Sequence, residues 1–119
     1  MAWELDSKRS IYLQLVEIIL KRIVTGIYPL GSKLDSVRDL ALEAGVNPNT
    51  MQRALAELET TGIITTQRTS GKFVTDNPEV IERIRSDFAQ QTTKKYLNEM
   101  KELGLDGNQV IELIKEGQI

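Results

Sequence analysis

The chain has 119 residues, 40% hydrophobic and 27% charged, enough for one ordinary domain or a small domain with an appendage; this composition argues against intrinsic disorder. It has no cysteine and no histidine, which removes disulfide scaffolds, thiolate or imidazole zinc sites, cysteine nucleophiles and the Ser-His-Asp triad. The 15 Lys and Arg against 17 Asp and Glu give a net charge of −2, so bulk charge does not announce a nucleic-acid binder.

The longest apolar run near the N-terminus, Ile18-Ile19-Leu20, is far shorter than a signal-peptide core or a membrane span. The expected compartment is therefore the cytoplasm, with no membrane partner. Near the N-terminus, Trp3-Glu4-Leu5 reads either as a short strand or as a subunit contact. The first helix is predicted from about Ser10 to Thr25. Ile11, Leu15, Ile18, Ile19 and Ile23 make an amphipathic stripe, Ser10 can cap the start, and Gly26 suits a left-handed C-terminal position. Tyr28-Pro29-Leu30-Gly31 is a turn.

A short helix is expected from Val37 to Ala44, capped by Asp35 or Ser36, with Leu40 and Ala41 inward and Gly45 closing it. Asn47-Pro48 opens the next helix, with Asn47 as cap and proline where its missing N–H is not needed. That helix carries Met51, Leu55 and Leu58 to about Thr61 and ends at Gly62. Two helices joined by a short glycine-containing turn are a helix-turn-helix pattern. Ile63 to Gln67 is strand-like, Thr69-Ser70-Gly71 is a turn, and Lys72 to Thr75 is the return strand. Three helices followed by a hairpin make a winged helix.

The chain divides at Asp76-Asn77-Pro78, giving a winged helix over residues 1–76 and a tail over 77–119. Nine basic and nine acidic residues precede the division and six basic and eight acidic follow it, so the net negative charge belongs to the tail. Asn77-Pro78 opens a long helix marked by Val80, Ile81, Ile84, Phe88, Tyr96, Leu97, Met100 and Leu103, with Thr92 as a polar interruption. About twenty-five residues would span roughly 38 Å. Gly104 stops it, and a last helix starts at Asp106 or Gly107 with Val110, Ile111 and Ile114 on one face. Asp106 and Gln109 have capping-box spacing. The fold class is mainly α with a small β-hairpin: a winged helix-turn-helix plus a two-helix tail.

In a helix-turn-helix the second helix presents its N-terminal side chains to base edges in the major groove. Here those residues are Asn47, Asn49, Thr50, Gln52 and Arg53. Asn and Gln pair with adenine, Arg with guanine, and Thr meets a base edge or a thymine methyl. Arg38 stands where it reaches phosphate or the groove edge, and Arg68 and Lys72 flank a turn whose Gly71 lets backbone approach DNA. Plainer roles compete. Asn47 serves as a cap, Arg53 can pair with Glu57, Gly71 can serve the turn alone, and Phe73 can simply pack in the core.

The stretch Tyr28-Pro29-Leu30-Gly31-Ser32-Lys33-Leu34-Asp35-Ser36-Val37-Arg38-Asp39-Leu40-Ala41, then Gly45-Val46-Asn47-Pro48-Asn49-Thr50 and Arg53 to Ile64, resembles the GntR family of bacterial transcriptional regulators. The likeness covers about residues 10–75. It implies DNA contacts by Arg38, Asn49, Thr50, Gln52, Arg53 and Gly71. With the hairpin cations and Ser36 the expected DNA-binding set is Ser36, Arg38, Asn49, Thr50, Gln52, Arg53, Arg68, Gly71 and Lys72.

Three positions depart from the family pattern. Asp35 replaces a proline, and Gln52 replaces a frequent arginine, which shifts the expected base preference from guanine towards adenine. The wing lacks a second glycine near Arg68, so helix contacts are expected to outweigh wing contacts. The short tail resembles the YtrA-type branch, whose members resemble regulators of transporter operons.

An apolar stripe on two helices is buried by pairing with a second copy, which yields a homodimer and a palindromic operator; folding back on the winged helix is the alternative. The expectation is a non-enzymatic, sequence-specific regulator of double-stranded DNA, a repressor in the first instance, with no cofactor and no metal. No glycine-rich phosphate loop announces a small-molecule effector. A protein-interaction module built on the same scaffold is the competing class.

Overall fold

Capping chemistry sets the first boundaries. In the computed structural model, which describes residues 2–118, helix α1 spans Ile11–Val24 and the Ser10 hydroxyl accepts a hydrogen bond from the Leu13 N–H. This satisfies one of the donors that every helix start leaves unpaired. Helix α1 buries Leu15, Ile19, Leu20 and Ile23. It also buries Gln14, whose amide accepts from Asp6 N at 2.7 Å and donates to Asp6 O at 2.7 Å, tying down the loop that leads into the helix.

Of the two candidate caps for α2 (Val37–Ala44), Ser36 takes the role, its hydroxyl accepting from Asp39 N at 3.1 Å. Gly45 closes α2 at φ +76°. Helix α3 (Pro48–Thr60) opens on Asn47, whose side chain accepts from Asn49 N at 2.7 Å, with proline in the first turn. It buries Met51, Ala54, Leu55 and Leu58. Both α1 and α2 pack against α3, so the core sits along its inner face. Leu55 is wholly buried, and truncating such a residue to alanine costs about 2–5 kcal/mol.

The hairpin pairs β1 (Ile64–Gln67) with β2 (Gly71–Val74), antiparallel, from Ile64 opposite Val74 to Gln67 opposite Gly71. Lys33 adds a bridge to Phe73, flanked by Leu34 N donating to Lys72 O at 2.9 Å and Val74 N to Ser32 O at 2.8 Å. The segment between the first turn and α2 thus lies along the wing, joined to it by an isolated β-bridge rather than by a strand. The sequence gives it no β-branched run, so alternation does not reveal it.

Two compact units result, the first ending at Ile84 and the second beginning at Arg85. Helix α4 (Pro78–Glu102) is 25 residues long and runs unbroken through Thr92; one threonine lowers helix propensity only slightly. Its opening turns belong to the first unit, where Arg83 donates to the Thr61 carbonyl at 3.0 Å and Ile84 is buried. The sequence division at residue 76 marks the start of this helix, and the first compact unit extends about two turns further. In the second unit, Gly104 at φ +81° ends α4, and α5 (Gly107–Glu116) begins with a full capping box between Asp106 and Gln109.

Trp3 forms no strand. Its backbone N–H donates to the Ala44 carbonyl at 3.2 Å and its indole N–H to the Glu43 carboxylate at 2.7 Å. The Arg22 guanidinium lies over the indole, 4.3 Å from its centroid, and donates to the same Glu43 oxygen at 3.0 Å. The N-terminal arm is therefore held on the end of α2, and a Cβ on Gly45 would come within 2.8 Å of the Ala2 Cβ. Gly26, at φ +83°, has open space around it. Gly45→Ala and Gly26→Ala should each cost about 1–2 kcal/mol for the left-handed backbone, measured by urea unfolding. Only Gly45→Ala should also lift the arm and red-shift Trp3 fluorescence; unchanged emission in that variant would contradict the arm contact.

Candidate nucleic-acid interface

Burial of one face of α3 decides what the opposite face offers. With about 100° of turn per residue, inward Met51, Ala54, Leu55 and Leu58 leave Asn49, Gln52, Arg53 and Ala56 outward, and all four are exposed. Thr50 lies half-buried at the edge. Asn47 is occupied as the helix cap. Its exposed neighbours Asn49, Gln52 and Arg53 are the amide and guanidinium types suited to base edges.

A second group gathers between the start of α2 and the wing. A groove of about 680 Å³ is lined by Lys33, Asp35, Ser36, Arg68, Gly71 and Lys72, among others. The fold thus brings Ser36, Arg68, Gly71 and Lys72 together from segments thirty residues apart, with Arg38 exposed on the first turn of α2. The Ser36 hydroxyl is committed to capping. Gly71 has φ +110°, and a Cβ there would sit 3.3 Å from the Lys33 side chain. The turn conformation by itself accounts for glycine.

Besides Ser36, Lys72 and Arg53 also have partners within the chain. The Lys72 ammonium is paired with the Glu59 carboxylate at the end of α3 and lies 3.1 Å from the Thr66 hydroxyl, which donates to Glu59 at 2.6 Å. Burial alone would raise the Glu59 pKa, but hydrogen bonds from Lys72 and Thr66 outweigh it and hold the carboxyl below its ordinary value. This knot ties the wing to α3. The Arg53 guanidinium lies over the Tyr12 ring of α1, 3.7 Å from its centroid.

Sequence reasoning missed Tyr12, Glu59, Lys33 and the Trp3–Arg22–Glu43 cluster. Each depends on a contact between distant segments that no local spacing encodes. The Glu43 carboxyl is likewise held below its ordinary value, by hydrogen bonds from Arg22 and then Trp3.

Three helices, a wing and an outward polar face on the third helix define a DNA-binding winged helix-turn-helix transcriptional regulator. The chain belongs to the GntR family of bacterial regulatory proteins, whose family model matches residues 11–74. It is 36% identical over 112 residues to the HTH-type transcriptional regulator YhcF of Bacillus subtilis, covering 94% of this chain and 93% of that one. It is 32% identical over 111 residues to the transcriptional repressor YtrA of the same organism, covering 92% and 85%. A GntR family regulator from Listeria monocytogenes superposes with a TM-score of 0.89 at 45% identity, covering 94% of this chain and 98% of that one. The family is one of regulators, not enzymes. Among the described residues no helix is long and apolar enough to cross a membrane.

The Glu59 knot has a pH signature. A carboxyl whose folded pKa lies below its unfolded value stabilises the protein above the unfolded pKa, and that contribution disappears as pH falls through the folded one. Glu59→Gln should therefore be less stable than the parent near pH 7, with the gap closing between about pH 5 and pH 3. Urea midpoints across this range test it; a gap independent of pH would show that the Glu59 charge contributes nothing.

Proposed function

We propose that the chain reads a two-fold symmetric operator as a homodimer and acts as a cytoplasmic repressor. The observation that carries the reading is the outward face of α3, where Asn49, Gln52 and Arg53 are exposed beside Thr50 while the apolar half is buried. In this reading Gln52 and Asn49 address adenine edges and Arg53 a guanine edge. Arg38 and Arg68 fix the register on phosphates, which carry affinity but no sequence information. Ser36 and Gly71 let backbone at the helix start and the wing approach the duplex. Lys72 acts mainly through its pair with Glu59, holding the wing in place.

Dimerisation is supported by the second unit. Leu97, Ile111, Leu113 and Ile114 on its two helices, with Leu103 in the turn between them, are 44–72% exposed, apolar area that a second copy would remove from water at about 25 cal/mol per Å². Repression is supported by the similarity to YtrA, which carries that role in its name.

Selection of duplexes from a random DNA library, with Arg38→Ala beside the parent, tests the reading. Enrichment of a palindromic motif that the variant fails to enrich is the expected result. No enrichment from low to physiological salt would overturn it. Ile111→Asp with Ile114→Asp should yield a monomer by sedimentation; a dimer that survives both changes places the interface elsewhere. Because Glu59 already neutralises Lys72, Lys72→Ala should flatten the salt dependence of binding by less than the full unit of a phosphate contact. A full unit would return Lys72 to the phosphate backbone.

A further inference from the structure

The Tyr12–Arg53 contact assigns a role to a residue outside the helix-turn-helix. An arginine on an exposed helix face is free among many rotamers, and ordering it on DNA costs conformational entropy. Here the guanidinium carbon already lies over an aromatic ring, 3.7 Å from the centroid. Guanidinium donors lie in the plane of the group, so stacking occupies its face and leaves the donor edge for a planar hydrogen-bond partner. Tyr12 is half-buried near the start of α1, between the Ser10 cap and Gln14, which is 7% exposed and hydrogen-bonded to the backbone at Asp6. Helix α1 packs directly against α3.

We propose that Tyr12 is a positioning residue for base recognition: its ring holds the Arg53 guanidinium in the orientation that reads the operator. This rests on the reading of Arg53 as a base contact. The stack reduces the motions open to the side chain before DNA arrives, so its effect belongs to specific binding and not to the phosphate-driven, sequence-independent component.

The test uses the full chain, the duplex enriched in the selection, and a random-sequence duplex of equal length. Tyr12→Leu retains apolar bulk and removes the ring; Tyr12→Phe keeps the ring and removes the hydroxyl. Tyr12→Leu should weaken binding to the enriched duplex by roughly 2–5-fold, the range of an exposed cation–π contact. It should leave the random duplex unchanged, and relax preference at the base pair whose selectivity Arg53→Ala also relaxes. Tyr12→Phe should bind like the parent, and Tyr12→Leu added to Arg53→Ala should cost nothing further.

Equal losses on both duplexes would mean a purely structural role and would overturn the proposal, as would tighter binding by Tyr12→Leu, which would mean the ring sequesters Arg53. If Arg53→Ala relaxes preference while Tyr12→Leu does not, the proposal alone is wrong. If Arg53→Ala leaves preference intact, the base-reading role of Arg53 fails and the proposal fails with it.

Discussion

The rotation of α3 about its own axis is the constraint on which the structure depends. Met51, Ala54, Leu55 and Leu58 are inward, and exposing such side chains costs about 1.5–3 kcal/mol for each large one. A rotation by one residue would put Gln52 inward and Met51 in water, so hydrophobic burial alone fixes which side chains face outward. The outward polar face is thus a consequence of packing, although none of its residues contributes to the core.

Around that fixed helix lie two ties that hold the flanking segments. On one side Lys72, Glu59 and Thr66 join the wing to the last turn of α3. On the other, Trp3, Arg22 and Glu43 hold the N-terminal arm against the end of α2. Both ion pairs are partly exposed, and each joins segments distant in sequence. Their effect is geometric, restricting where wing and arm sit relative to the helix-turn-helix. Net charge is a poor guide to such a protein because cations and anions pair across the fold. Lys72 lines the groove between α2 and the wing, and its charge is met within the chain by Glu59.

Much of this was legible from local chemistry. Ser10, Asn47 and Asp106 announce helix starts because a short polar side chain satisfies orphan N–H groups wherever a helix begins. Gly45 and Gly104 announce ends because the left-handed conformation there is nearly free only for glycine. The β-bridge at Lys33 left no trace, since its pairing with Phe73 uses backbone groups common to every residue. Trp3 forms no strand, one of the two readings its sequence offered, and its partners Glu43 and Ala44 lie some forty residues away. Arg53 suggested a helical pair with Glu57, but its guanidinium lies over Tyr12, on another helix.

By itself the sequence determined the order of elements, their caps, the apolar face of each helix and the family likeness, because these follow from periods of a few residues and from short blocks in fixed order. Only the tertiary structure decided that the Lys72 charge is shared with Glu59, that the arm docks on α2, that the first compact unit reaches into α4, and that Arg53 rests on Tyr12. Each joins segments far apart in the chain, and long-range proximity is set by the packing of the whole core and not by any local run of residues.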